Sequence, residues 1–112
     1  MKYVKLIEKP EVMKIDLKPN ELVVKAGDTQ HLDDEKKVGG KLILTNQRIY
    51  FHSPENGEFN MEIMPSEIEE VMCFNTSCFS SNGLNIITKE GKELKFKIKK
   101  RNAWSKAINQ MY

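Results

Sequence analysis

A mainly β fold, a barrel of about seven antiparallel strands capped by one C-terminal α-helix, is what three features of this sequence predict. Apolar and polar residues alternate in several short runs after Pro19. Turn residues separate those runs at the spacing of an antiparallel sheet. The period lengthens from two to three and four only after Lys100, so the chain lacks the parallel crossovers of a βαβ protein. Strands this numerous on so short a chain must curl to bury one face, and a terminal amphipathic helix suits the open end.

Taken in order, Leu22, Val24 and Ala26 share one face of a first strand, and the polar stretch from Asp28 to Val38 has no period and reads as a loop. Gly39-Gly40 opens a strand with Leu42 and Leu44 on one face, and Thr45-Asn46-Gln47 is a tight turn. The next strand, Arg48 to Ser53, places Ile49 and Phe51 inward. Asn56-Gly57 is a turn pair that accepts positive φ, which makes Phe59, Met61 and Ile63 the apolar face of a return strand. Ile68 to Asn75 reads as a strand because Val71, Cys73 and Phe74 favour that state, and Ser77 to Gly83 reads as a loop. Leu84 to Thr88 and Leu94 to Ile98 flank a Glu90-Gly91 turn, with Lys95, Lys97 and Lys99 alternating outward. Trp104, Ala107, Ile108 and Met111 then recur at helical spacing, with Asn102 an acceptable N-cap.

At 112 residues the chain has the size of one domain, and 39% hydrophobic with 30% charged residues is the balance of a globular protein. No run approaches the roughly 20 apolar residues of a spanning helix, and Met1 to Pro10 lacks the apolar centre of a secretory signal, so a cytoplasmic location is expected. Cys73 and Cys78 are too few to staple a secreted scaffold or to hold zinc. The net charge of +2 does not itself imply nucleic-acid binding, but its distribution is uneven. Asp28 to Glu35 is acidic, whereas Lys89 to Arg101 carries an excess of lysine.

The residues from Pro19-Asn20-Glu21 through Gly39-Gly40-Lys41-Leu42-Ile43-Leu44-Thr45-Asn46-Gln47-Arg48-Ile49-Tyr50-Phe51 resemble the GRAM-domain group of the pleckstrin-homology-like (PH-like) fold and its bacterial relatives. Leu-Thr-Asn-x-Arg-Ile-x-Phe is the most specific part. Ile68 to Val71 and the Trp-bearing helix extend the likeness, which covers residues 19–112 and leaves residues 1–18 as an extension. The resemblance implies a scaffold that binds phosphoinositides, other membrane lipids or proteins without catalysis. Phosphate recognition on such scaffolds uses basic residues near the loop between the first two strands. Here that loop carries Asp28, Asp33, Asp34 and Glu35 against Lys36 and Lys37, which argues against specific phosphoinositide recognition.

The residues themselves offer little chemistry. His31 falls in an acidic loop, His52 lies near a strand end, and Cys78 has no histidine beside it in sequence, so no nucleophile and base pair is visible and no enzyme is expected. Asp33-Asp34-Glu35 lacks the alternating ligands and central glycine of a calcium loop, and Gly39-Gly40 precedes a strand where phosphate-cradling motifs precede a helix. No metal or cofactor is expected. The sharpest candidate surface is Lys95, Lys97 and Lys99, continued by Lys100 and Arg101, a linear cationic strip for an anionic partner. The same lysines would protect an edge strand from aggregation.

The expected role is a non-catalytic binding module for a protein partner or an anionic membrane lipid, cytoplasmic or peripheral to the membrane. The alternative, nucleic-acid binding through the basic strand, is disfavoured because Phe96 points inward and no aromatic interleaves with the outward lysines. A homo-oligomer is left open. Val4, Leu6 and Ile7 could add a strand, cross to a second copy or stay loose.

Overall fold

A computed structural model describes residues 2–6 and 13–112, with side chains from Asp16 onward. Lys2–Leu6 (β1) and Met13–Leu17 (β2) form a separate antiparallel hairpin, with Val4 opposite Ile15. Ile7 lies outside the described residues. The main sheet comprises Val23–Asp33 (β3), Lys36–Thr45 (β4), Ile49–His52 (β5), Met61–Ile63 (β6), Ile68–Phe74 (β7), Gly83–Thr88 (β8) and Glu93–Ile98 (β9), followed by helix α1, Arg101–Asn109. Its order is β6-β5-β4-β3-β9-β8-β7, antiparallel throughout.

One core holds the sheet curled. Leu42, Leu44, Ile49 and Phe51 from one half share a single buried cluster with Leu84, Ile86, Phe96 and Ile98 from the other. A flat sheet could not bring those halves together. Trp104 and Ile108 of α1 complete the cluster, with Ala107 and Met111 packed against it, as the helical spacing predicts. A smaller cluster on the outer face of β4 joins Ile43 to Leu17, Val23 and Tyr50 and seats the end of the β1–β2 hairpin on the barrel.

The first strand departs from its expectation in extent and in face. The stretch from Asp28 to Val38 is not a loop: β3 and β4 run as a long hairpin through a turn at Asp34, whose φ is 54°, with Asp33 opposite Lys36. Leu22 and Val24 are 69% and 60% exposed. A bulge between Val23 and Lys25 shifts the register, so the inward positions are Gly27, Thr29 and His31. These residues carry no hydrophobic signature, and the polar groups of Thr29 and His31 can be buried because they are satisfied locally. The Thr29 hydroxyl donates to the Lys97 carbonyl at 2.9 Å, and His31 Nδ1 lies 2.9 Å from the Lys95 carbonyl.

Three smaller expectations are also corrected. Phe59 stands in a single 3-10 turn, Gly57–Phe59, and β6 begins only at Met61; Asn56 has φ −132°, so the positive-φ turn expected there is absent. Gly91, at φ 86°, is the turn glycine that does use positive φ. Helix α1 starts from Lys100 in the left-handed region rather than from Asn102, with the N–H groups of Ala103 and Trp104 both bonded to the Lys100 carbonyl. Finally, β9 is not an edge strand, because β3 and β8 flank it; the sheet edges are β6 and β7.

Candidate anion-binding recess

Strand β3 pairs with β9 only from Thr29 to Leu32, so its first half is bonded on the β4 side alone. Where β3 leaves β9, a recess of about 700 Å³ opens over the start of α1. Lys25, Lys97, Lys99 and Lys100 line it, together with Gly27, Asp28, Asn82 and Trp104. The volume falls in the range of small-ligand sites. Its one carboxylate, Asp28, is 2.7 Å from Lys41 Nζ. Trp104 forms the floor: Gly27 lets the indole approach β3, since a Cβ there would stand 3.4 Å from Cζ2, and Lys25 Nζ lies 5.5 Å from the ring centroid.

The five residues expected to form one strip divide between three environments. Lys97, Lys99 and Lys100 share the recess. Lys95 lies apart, its Nζ 5.8 Å from the centroid of the Phe74 ring. Arg101 turns toward β7, where it donates to the Phe74 carbonyl and, at 3.3 Å, to Asn75 Oδ1. Lys25 is the member that sequence reasoning missed. It precedes Lys97 by most of the chain, and a single lysine on a strand gives no signal of what it will face.

The opposite end of β9 has the reverse charge. A cavity of about 610 Å³ there is lined by Asp33, Glu58, Glu62, Glu67, Glu90 and Glu93, against Lys89 and Lys92. The two ends of the barrel therefore differ in the sign of their charge, acidic at the loop end and basic at the helix end. Of the acidic Asp33-Asp34-Glu35 turn, Asp33 lines the acidic cavity.

The two histidines lie in different settings. His31 is buried on β3, its ring 5.0 Å from Phe96 and 5.7 Å from Phe51, and is not in a surface loop. His52 Nδ1 is 3.4 Å from the Asn60 amide. Among the described residues, no three His, Cys, Asp or Glu side chains converge as a metal site requires.

The most strongly coupled charges are structural. Glu21 and Arg48, 2% and 8% exposed, form a bidentate pair: Arg48 Nε donates to Oε2 at 2.9 Å and an Nη to Oε1 at 3.0 Å. The Thr45 hydroxyl donates to Glu21 at 2.6 Å, and Arg48 also reaches Glu62 and, at 2.7 Å, the Asp16 carbonyl. Burial pushes the Glu21 carboxyl up, but the hydrogen bonds from Arg48, Thr45 and the Lys18 N–H, with the Arg48 charge, together outweigh it and hold the group below its ordinary value. Asn46 clasps the same segment, accepting from the Leu22 N–H at 2.8 Å and donating to the Asn20 carbonyl at 3.0 Å.

Comparison with known structures places this architecture. The C-terminal domain of an unknown protein from Leishmania infantum matches at TM-score 0.72 and 15% identity, over 83% of this chain and 86% of that one. The Vps36 N-terminal PH domain matches at 0.66 and 14%, over 98% and 90%. The Slm1-PH domain in complex with inositol-4-phosphate matches at 0.62 and 14%, over 80% and 96%. The chain has a PH-like fold. No family model and no curated protein matches its sequence. Identities this low carry the fold alone; the site rests on this chain's own residues.

Proposed function

We propose that this PH-like chain is a non-catalytic binding module that holds an anionic group in the recess between β3 and α1. The observation that carries the reading is the convergence of Lys25, Lys97, Lys99 and Lys100 on one concave surface with Trp104 beneath it. Lysines supply point charges without a bidentate fork, so the site favours negative charge over one particular arrangement of it. That the similar Slm1-PH domain carries inositol-4-phosphate in one structure and phosphoserine in another supports the same class of ligand. Residues 19–112 form the module, with 1–18 an extension, and the Leu44-Thr45-Asn46-Gln47-Arg48 clasp supports kinship with the GRAM group within the fold. The setting is cytoplasmic; among the described residues no helix is long and apolar enough to cross a membrane. Stacking of nucleic-acid bases is disfavoured, because Phe96 beside the lysines is fully buried.

The test uses soluble inositol-4-phosphate as probe, titrated by NMR. Binding is expected to be weak and to fade with added salt. Lys97→Glu with Lys99→Glu should weaken it at least about tenfold, the scale of one Lys contact to an anionic surface or more. Lys95→Glu, away from the recess, should leave it unchanged. Equal loss in both variants would replace the recess with a diffuse cationic face, and no loss in the double variant would end the proposal.

A further inference from the structure

We propose that the acidic cavity at the far end of β9 is a second binding site, and that it takes an arginine side chain carried by a basic peptide segment of a partner protein. The cavity lies between edge strand β6, which contributes Met61 and Ile63, and the β8–β9 turn, which contributes Thr88, Glu90 and Leu94. It shares no lining residue with the basic recess, so this site does not depend on what the recess binds.

The polar groups of the cavity are largely acceptors, and folding uses only some of them. Glu62 is held by Arg48, Glu67 accepts from the Met64 N–H at 2.7 Å, and Glu93 accepts from the Asn85 amide at 2.8 Å. The side chains of Asp33, Glu58 and Glu90 have neither a hydrogen bond nor an ion pair among the described residues, and Lys89 and Lys92 pair with none of them. His31 supplies an independent sign of a missing donor. It is 6% exposed and lines the cavity, with Nδ1 2.9 Å from the Lys95 carbonyl. A carbonyl only accepts, so Nδ1 carries the hydrogen, and in the neutral ring Nε2 is left as an acceptor. Nε2 has no partner among the described residues. The one sealed polar side-chain atom without a partner there is Asn85 Oδ1, so Nε2 opens to the cavity that its ring lines.

The chemistry of the occupant follows from these walls. A metal ion does not fit, because among the described residues no three His, Cys, Asp or Glu side chains converge on one point. The acceptors are instead spread around a volume of about 610 Å³ that Phe59, Met61, Ile63 and Leu94 make partly apolar. A cation with several donors on an aliphatic stem matches both properties. Arginine has five N–H donors in a planar fork and no acceptor, so it can bond a carboxylate and a ring nitrogen together, whereas lysine is a compact point charge. The half-buried Phe59 ring, 6.4 Å from His31, offers the fork a face on which to lie. A free amino acid would bring its own carboxylate among those of the wall, a repulsion that a peptide link removes.

The experiment titrates the isotope-labelled full chain by NMR with end-blocked Arg-Gly-Arg-Gly-Arg and with its lysine and citrulline counterparts. The arginine peptide should bind in a salt-sensitive way and more tightly than the lysine peptide, shifting amides of β6 and of the β8–β9 turn, and the uncharged citrulline peptide should not bind. Glu58→Gln with Glu90→Gln should weaken arginine-peptide binding about fivefold, the scale of two exposed ion pairs, with an unchanged melting temperature. His31→Phe keeps the ring packing and removes the acceptor, and it should cancel the preference for arginine over lysine. Lys97→Gln with Lys99→Gln, in the recess, should leave arginine-peptide binding as it is. No binding of the arginine peptide, equal binding of the lysine peptide to the parent, or undiminished binding by the Glu58 and Glu90 double variant overturns the proposal, and the last two hold whether or not His31→Phe folds.

Discussion

Arg48→Met is expected to destabilise the protein by about 3 to 5 kcal/mol, because it strands the buried Glu21 carboxylate without its bidentate partner. The side chain of Glu21 is fully buried and that of Arg48 only 9% exposed. Screening by water is therefore slight, unlike at the Glu62 end of the cluster, where the carboxylate side chain is 40% exposed. Chemical denaturation measures the loss, and pH identifies its source. Because the folded-state pKa of Glu21 is depressed, its contribution is fully present above the ordinary value of 4.5 and is lost as the pH falls from there through the folded value. The parent should therefore lose stability in that acid window, and Glu21→Gln should show a shallower loss there, having lost part of that stability already at neutral pH. Replacing both partners by Glu21→Leu with Arg48→Met should recover part of the single-variant loss, since no lone charge then remains buried. An unchanged midpoint for Arg48→Met would mean that the pair contributes no net stability.

The same cluster shows what the sequence could and could not disclose. Leu44-Thr45-Asn46-Gln47-Arg48 and Pro19-Asn20-Glu21 carry the family resemblance, and in the structure they hold each other, so the most recognisable residues are a clasp and not a ligand site. Strands β4, β5, β8 and β9 were legible because large apolar residues fill their inward positions, which makes parity visible. Strand β3 was not, because Gly27, Thr29 and His31 occupy that face and the backbone of β9 satisfies the latter two. Alternation detects burial only where burial is hydrophobic. The lysine row was legible as a row, but its surroundings depend on strand order. A central β9 puts Lys97 and Lys25 on the lining of one recess, sends Lys95 over Phe74 and leaves Arg101 to fasten the next loop, none of which follows from spacing along one strand.

Trp104→Ala should cost about 3 to 5 kcal/mol, as other large aromatic truncations in cores do. The indole is 3% exposed, packs with Ile108 in the main core and lies against Gly27 where β3 is unpaired on one side. Where the indole lies against Gly27, that residue has no side chain to fill the space it leaves. Helix α1 spans only Arg101–Asn109, too short to be stable without its apolar stripe, so the loss should appear as undocking of the whole helix. Trp104 is the only tryptophan of the sequence, and its emission in the parent should be blue-shifted and move to the red in a single transition with denaturant. The site is coupled to this packing, because the same ring floors the recess. Trp104→Phe, which keeps an aromatic floor, should therefore retain binding of inositol-4-phosphate at a modest cost in stability, whereas Trp104→Ala should lose both. An unchanged denaturation midpoint for Trp104→Ala, with red emission already in the folded parent, would place the indole in solvent and make it part of an interface rather than the plug of the barrel.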